Sequence, residues 1–456
     1  MFTDIVAKQQ NFFYEGSTKS LSFRVKQLQK LKSIVKSSEK DILKALKQDL
    51  NRPPLESYAS EVGFILSEIS YTLKNIHNWM SPKKVKLPIT YFGTKAFIVP
   101  EPLGLALIFG TWNYPFLLSL LPLAGAISSG NCAIVKPSEY AATSSNIIKK
   151  IINDNFDPAF ITVAEGGVTE SEALLAQKFD FIFFTGNPNI GKIVMSEAAK
   201  TLTPVALELG GKSPCIVHKD ANIKLAAEKI AWAKFINAGQ TCVAPDYLLV
   251  HNQIKEELIR HIKEYITKFY GKNPAESPDY CRIINEKHFD RLSAFLRSGN
   301  IIIGGQTNRD NLYIAPTVID NVFSLESAIM EEEIFGPIIP IIPYEDIRRA
   351  VSIIRSKPKP LAAYIFCDDS NTENYILNRV SCGSVCINDI MLQTSTYALP
   401  FGGVGESGMG RYHGKASFDT FSNFKSILQA PKSFDIKLRY PPYKTSSLKI
   451  MKLFLR

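Results

Sequence analysis

Phe179-Asp-Phe-Ile-Phe-Phe184 runs without a break into Thr185-Gly186-Asn-Pro-Asn-Ile-Gly191-Lys192, and helical spacing follows. A short apolar run, a glycine turn and then a helix mark a buried parallel strand with its crossover helix. The turn nearly matches a phosphate-binding P-loop. However, Ile193 stands where Ser or Thr must ligate magnesium, which argues against nucleoside triphosphate hydrolysis. Two readings remain: a plain strand-to-helix turn, or a helix start whose free N–H groups and dipole receive a phosphate or pyrophosphate.

The same texture extends in both directions. Leu103 to Phe109 and Cys132 to Val135 are further apolar runs followed by turns and helical pattern, and a second alternating region covers about 245–400, including Ser384 to Ile387. Upstream, Leu21, Val25, Leu28, Leu31 and Val35 recur at helical spacing. Ser38 with Asp41 then reads as the start of a second helix with Ile42, Leu46 and Leu50 on one side. Asp220 is expected to cap a helix that turns Ala226, Ile230 and Ala233 inward and ends before Gly239. The pattern predicts two α/β lobes joined near residue 209.

A chain of 456 residues calls for two or three lobes, and 45% apolar with 21% charged residues is ordinary globular composition. The start, with Asp4 and no long apolar core, does not read as a secretory signal, and the apolar stretch Phe116 to Ile127 is too short and broken to span a bilayer. Cys132, Cys215, Cys242, Cys281, Cys367, Cys382 and Cys386 are odd in number and form no CxxC pair. They argue for a reducing, cytoplasmic setting and against a disulfide framework or a metal site. The net charge of +10 is spread along the chain without an arginine-rich or aromatic-interleaved motif, so no nucleic-acid partner is expected. The exception is Lys437 to Arg456, with six basic residues and no acidic one. Its Leu448, Ile450, Met451, Leu453, Phe454 and Leu455 suit a basic amphipathic segment that docks on another subunit or, as the weaker alternative, a membrane surface.

Gly403-Val-Gly-Glu-Ser-Gly408 matches the dinucleotide fingerprint GxGxxG letter for letter. It follows no strand of a βαβ unit and has no acidic residue about 20 positions on, so it reads as a structural turn. Glu208 precedes Leu209-Gly210-Gly211-Lys212 and closes an apolar run. A carboxylate there is either paired structurally or perturbed for function. Cys242, in Asn237-Ala-Gly-Gln-Thr-Cys242, is either buried filler or a nucleophile whose pKa nearby backbone donors lower.

Several stretches together resemble the signatures of the aldehyde dehydrogenase superfamily, in that family's order and over almost the whole chain. They are Phe109-Gly-Thr-Trp-Asn-Tyr-Pro115, Val135-Lys-Pro-Ser-Glu139, Phe184-Thr-Gly186 with Gly191, Leu207-Glu-Leu-Gly-Gly-Lys-Ser213, Gly239-Gln-Thr-Cys242, Glu332-Glu-Ile-Phe-Gly-Pro337 and Pro400-Phe-Gly-Gly403. The short N-terminus, Gly410-Arg-Tyr-His-Gly414 and Tyr440-Pro-Pro-Tyr443 resemble the class 3 branch in particular.

The resemblance implies two Rossmann-type parallel-sheet lobes plus an oligomerisation arm. Residues 1–208 would bind the cofactor, with 79–98 in the arm, and 209–403 would form the catalytic domain. Residues 404–456 would comprise a return segment, an arm strand at about 421–430 and the tail, in a homodimer. It further implies that Cys242 attacks the aldehyde, the Asn113 amide with the Cys242 N–H stabilises the oxyanion, and Glu208 activates the water that releases the acid. Lys136 and Glu139 would meet the adenosine ribose, Gly186 and Gly191 flank the pyrophosphate turn, and Glu333 and Phe335 hold the nicotinamide ribose and ring. NAD is the expected acceptor. NADP is the second choice, because Glu139 disfavours a 2′-phosphate whereas class 3 enzymes often accept both. Medium-chain or aromatic aldehydes are the expected substrates, from the apolar residues around Tyr114, Phe116, Met391 to Tyr397 and the tail. A cysteine hydrolase would need a poised histidine, and His251, the one nearest in sequence to Cys242, is expected to face solvent.

Overall fold

A computed structural model of the chain describes residues 2–454, so Leu455 of the tail lies outside the described residues. The helix Leu21–Ser37 is capped by Ser20, whose hydroxyl accepts the Phe23 N–H at 3.2 Å, and it buries Leu28, Leu31 and Val35. Glu39–Leu50 buries Ile42, Leu46 and Leu50. The Ser38 hydroxyl before it makes no capping bond, so Asp41 in the first turn acts through the helix dipole alone.

The chain next forms β1 (Lys83–Val85) and β2 (Lys95–Pro102), then the strands of a first sheet: β3 (Leu105–Phe109), β4 (Cys132–Lys136), β5 (Ile161–Val163), β6 (Phe181–Gly186) and β7 (Val205–Leu209). These five are parallel in the order β5-β4-β3-β6-β7. This is a doubly wound arrangement whose strand order reverses between β3 and β6, where such sheets open a ligand crevice. Every residue of β3 and β4 is buried, because helices cover both faces, and hence their unbroken apolar sequence. One of those helices, Leu117–Ser129, is buried from Leu118 onward and therefore apolar on all sides. Among the described residues no helix is long and apolar enough to cross a membrane.

Within Gly210–Ser213 the chain passes to a second sheet, built from β8 (Pro214–Val217), β9 (Tyr247–His251), β10 (Asn300–Ile303), β13 (Thr317–Asp320), β14 (Ile338–Tyr344), β15 (Ala362–Phe366) and β16 (Ser384–Ile387). Their order is β10-β13-β14-β9-β8-β15-β16, parallel except for β10, and a small hairpin, β11 (Thr307–Asn308) with β12 (Tyr313–Ile314), stands apart. The helix Ile223–Phe235 is capped by Asn222, which accepts the Leu225 N–H at 3.1 Å, and not by Asp220. Asp220 lies two residues too early to reach those donors and instead accepts the N–H groups of Asp368 and Asp369 at 3.2 and 2.6 Å. His251 is buried, contrary to expectation. It ends β9 between β8 and β14, with its ring packed against His218 and Tyr344 at 5.7 and 5.5 Å between centroids.

The Gly403–Gly408 segment makes a short 3₁₀ turn, and β17 (Gly408–Met409) then pairs antiparallel with β7, setting Gly408 opposite Glu208. A Cβ on Gly408 would stand 2.1 Å from the Leu207 carbonyl oxygen, so this glycine serves close backbone packing. β18 (Ser422–Gln429) then pairs with β2 over eight residues, with β1 on the far side of β2. The tail ends in a helix, Thr445–Phe454, that exposes Leu448, Met451, Leu453 and Phe454.

Asn131 fastens the base of this three-stranded arm to the first sheet. Its Oδ1 accepts the Gly104 N–H at 2.7 Å and its Nδ2 donates to the Phe421 carbonyl at 2.8 Å. Asn131→Ala strands two buried backbone groups and is expected to destabilise the fold by about 2–4 kcal/mol. The shift in the denaturant midpoint measures this, and an unchanged midpoint would contradict it.

Candidate active site

The first sheet turns the C-terminal ends of its strands toward the N-terminal ends of the second. The cleft between them, 790 Å³ in volume, is lined by Gly110–Asn113 after β3, Thr185–Asn189 around the end of β6 and Leu209–Lys212 before β8. Glu208 on β7, Cys242 before β9, Glu331–Glu333 and Phe335 before β14, and Pro358–Lys359 before β15 line it as well. Cys242 also lines a second cavity, of 980 Å³, so that it stands with Leu118 where the two spaces meet.

The cysteine loop leaves the helix Ile223–Phe235 through three left-handed residues, Asn237 (φ 50°), Ala238 (φ 50°) and Gly239 (φ 71°). A Cβ on Gly239 would come within 2.2 Å of the Gly336 carbonyl oxygen, which explains glycine there. The Asn113 amide lies against this loop: its Nδ2 donates to the Gln240 carbonyl at 3.1 Å, and its Oδ1 accepts the Thr111 hydroxyl at 2.6 Å. The half-buried Cys242 thiol does not have the lowered pKa that one of its two sequence readings attached to it. Burial pushes it up to about 12, reinforced by the Glu333 and Glu208 carboxylates, and these outweigh the N–H groups of Cys242 and Val243.

Glu208 is buried on β7 and neither carboxyl oxygen has a hydrogen-bond partner among the described residues. Burial raises its pKa well above the carboxylate range, with Arg411 opposing the rise. The Glu333 carboxyl is packed on Gly210, where a Cβ would lie 1.9 Å from Oε2, and burial and Asp246 push it up to about 8. Its loop is held by a pair the sequence reading assigned no role. Lys212 is buried in contact with Asp246 and donates to the Ile329 and Glu332 carbonyls at 2.7 and 2.9 Å, while Asp246 accepts the Ile334 N–H at 2.8 Å. Phe335, at φ 50°, sets its ring edge-on to Trp112, 5.3 Å between centroids.

The cleft fits a dinucleotide. It lies at the strand-order reversal, beside the helix Pro188–Ala199 whose first turn adjoins Gly186, and it contains a buried hydroxyl, Thr185 Oγ1, with no partner among the described residues. Gly191 is one turn into that helix and does not line the cleft. A Cβ there would stand 2.8 Å from Leu209 Cδ2, so it lets helix and β7 approach. Lys136 and Glu139 form an ion pair of 3.1 Å at the end of β4 and likewise stand outside the lining, to which their neighbours Ser138 and Tyr140 belong.

The larger cavity is walled by Phe64, Trp232, Phe269, Tyr270, Phe401 and Tyr412, together with Tyr114, Met391, Thr394 and Ser395. Phe116, expected at its mouth, is wholly buried, because Glu61 holds its N–H at 2.7 Å and turns the chain into the helix Leu117–Ser129. Among the described residues none of the tail lines the cavity. His413 does, with neither ring nitrogen bonded among the described residues, and burial holds its pKa down to about 3, so it is neutral.

Residues 3–427 match the model of the aldehyde dehydrogenase family. The chain is 48% identical over 447 residues to the 4,4'-diaponeurosporen-aldehyde dehydrogenase of Staphylococcus aureus, covering 98% of this chain and 97% of that one. It is 46% identical to aldehyde dehydrogenase family 3 member H1 of Arabidopsis thaliana, covering 99% and 94%. Among solved structures it superimposes on substrate-bound Staphylococcus aureus AldH with a TM-score of 0.98 at 46% identity, covering both chains fully. It also superimposes on an NAD+ complex of betaine aldehyde dehydrogenase from the same species, with a TM-score of 0.85 at 25% identity, covering 96% and 88%. With two Rossmann-type lobes meeting at Cys242 and the signature motifs along their facing edges, the chain belongs to the aldehyde dehydrogenase family, in its class 3 branch.

Proposed function

We propose that this enzyme oxidises aldehydes to carboxylic acids with NAD as the acceptor, the aldehyde entering through the 980 Å³ cavity and the dinucleotide through the cleft. The observation that carries this reading is the position of Cys242 at the junction of the two spaces. Cys242 gives up its thiol proton to water, its sulfur bonds to the carbonyl carbon as the C=O π pair moves onto oxygen, and the Asn113 amide, released from the Gln240 carbonyl, with the Cys242 N–H receives the resulting oxyanion. A donor of this kind is worth about 3 kcal/mol in a dry site. The bound nicotinamide supplies the hydride acceptor. Glu333 and Phe335 would hold its ribose and ring, Gly186 and the helix start beside it the pyrophosphate, and Lys136 with Glu139 the adenosine ribose, where the exposed Glu139 disfavours NADP. Glu208, unpartnered beside the thioester left on Cys242, takes a proton from water to release the acid.

The aromatic and aliphatic walls favour medium-chain or aromatic aldehydes. A homodimer is supported by the arm, where β18 uses one edge on β2 and exposes Phe424 and Leu428, and the tail helix adds an apolar surface suited to a partner subunit more than to a membrane. Seven free cysteines fit a cytoplasmic setting.

The primary test is reduction of NAD followed at 340 nm without coenzyme A. Cys242→Ala should abolish it while NAD binding persists, and full activity in that variant ends the proposal. Glu208→Gln should retain one burst of reduced cofactor per site and slow the steady state by about 100-fold or more. A signal only when coenzyme A is supplied would refute the role of Glu208.

Glu208 acts as a base only when ionised, and its pKa is raised, so the hydrolytic rate should climb with pH through a midpoint above the usual carboxylate range. Pre-steady-state deacylation across pH 5–9 checks this, and a rise that survives in Glu208→Gln would assign it to another group. For the substrate, kcat/KM should favour hexanal and benzaldehyde over acetaldehyde by about tenfold or more, as several additional buried methylenes imply. Equal use of acetaldehyde would reject the assigned class.

A further inference from the structure

We infer that Arg52 is a positioning residue for the reaction: its guanidinium fixes the Asn113 segment against the turn that carries Cys242. The inference rests on the proposed roles of Asn113 and Cys242. Arg52 lies just past the helix Glu39–Leu50 and is wholly buried. Nη1 donates to Glu61 Oε1 at 2.6 Å, Nη2 donates to the Asn113 carbonyl, and Nε donates to Asn237 Oδ1 at 3.3 Å. A single planar group thus touches both strands of chain whose separation the chemistry depends on.

The rest of the network has the same two ends. Asn237 Nδ2 donates to the Asn113 and Gln240 carbonyls, both at 3.1 Å. Glu61 Oε2 accepts the N–H groups of Phe116 and Leu117 at 2.7 and 3.0 Å, which anchors the far side of the Asn113 loop. The guanidinium also lies over the Tyr114 ring, 4.6 Å from its centroid, and the Tyr114 hydroxyl is 2.8 Å from Thr241 Oγ1, next to Cys242. Every residue from 113 to 117 except Pro115, and three of the five from 237 to 241, is therefore bonded to or stacked on Arg52, or on a side chain that Arg52 holds.

A planar fork with five fixed donors can serve these directions at once, whereas a lysine ammonium keeps the charge but not the geometry. A guanidinium buried only for stability would predict losses independent of Asn113. A positioning role predicts losses that vanish once the Asn113 amide is gone.

The experiment is a double-mutant cycle of Arg52→Lys with Asn113→Ala, read as kcat/KM for hexanal at saturating NAD, with melting temperatures recorded for every variant. Arg52→Lys alone should lose roughly 10- to 100-fold, with KM for NAD within about twofold, and cofactor-independent hydrolysis of p-nitrophenyl acetate should fall in parallel. In the Asn113→Ala background the same substitution should cost less than about threefold. Losses that multiply overturn the inference, as does a folded Arg52→Lys enzyme with wild-type kcat/KM. Asn237→Gly tolerates the left-handed turn while cutting the same link, so it carries the cycle if Arg52→Lys does not fold. Should Asn113→Ala itself retain wild-type activity, the reading of the oxyanion site fails first and takes this inference with it.

Discussion

Two parallel sheets abut here with the C-terminal edge of one against the N-terminal edge of the other, and that edge-to-edge contact governs the rest of the structure. Parallel strands end in backbone groups that no neighbour satisfies, and burying them without partners costs free energy. Along this seam the ends are served by loops, glycine turns and buried side chains. The loops after β3 and β6 and those before β8, β9 and β14 have nowhere to go but into one cleft. Residues as distant in sequence as Asn113, Glu208, Cys242 and Glu333 converge because Glu208 lies near the end of β7 and the other three lie in loops that enter or leave strands at this seam.

The closeness of the sheets also sets the electrostatics. Cys242, Glu208 and Glu333 are three acids in one desolvated space, and burial drives all three toward their neutral forms. None of the three is a permanent anion, and ionising one raises the cost of ionising the others. Cys242 is therefore not stored as a thiolate in this desolvated space. Two buried ion pairs, Lys212 with Asp246 and Arg52 with Glu61, are also hydrogen-bonded to backbone. A buried ion pair contributes little net stability, and both of these pairs hold loops at the seam.

Features governed by local pattern were legible in the sequence. The apolar runs of β3, β4 and β6 follow from burial on both faces, and Ser384 to Ile387 is β16 residue for residue. The glycine turns were equally legible, because Gly186, Gly210 and Gly239 stand where a Cβ would strike a neighbour. Properties set by distant chain were not. Asp220 and Asn222 are both capping residue types, and where the helix starts decides for Asn222, while Asp220 is taken by the N–H groups of Asp368 and Asp369. His251 looked exposed because strand alternation does not reveal that β9 is central in its sheet. The Cys242 loop displays its backbone donors in the sequence, but the two carboxylates that oppose them come from residues 34 positions before and 91 after. Arg52 and Glu61 carry no local sign of their role, since the loop groups that the pair holds lie between 55 and 185 positions away.

The backbone at residues 237–239 shows why such a network is needed. Three consecutive left-handed residues are unfavourable, and at a non-glycine position each costs about 1–2 kcal/mol. Only Gly239 is required to be glycine by its neighbour, the Gly336 carbonyl, while Asn237 and Ala238 accept the strain. An isolated turn of this kind would relax to a right-handed one and swing Cys242 away from the seam. It is held because the Asn237 N–H is taken by Glu56 Oε1 at 2.9 Å, its side chain by Arg52 and the Asn113 carbonyl, and Gln240 Nε2 by the Asn237 and Arg282 carbonyls at 3.0 Å each. The strain is thus local and its restraint is collective. Cys242 thereby keeps one position, at the place where the two cavities meet.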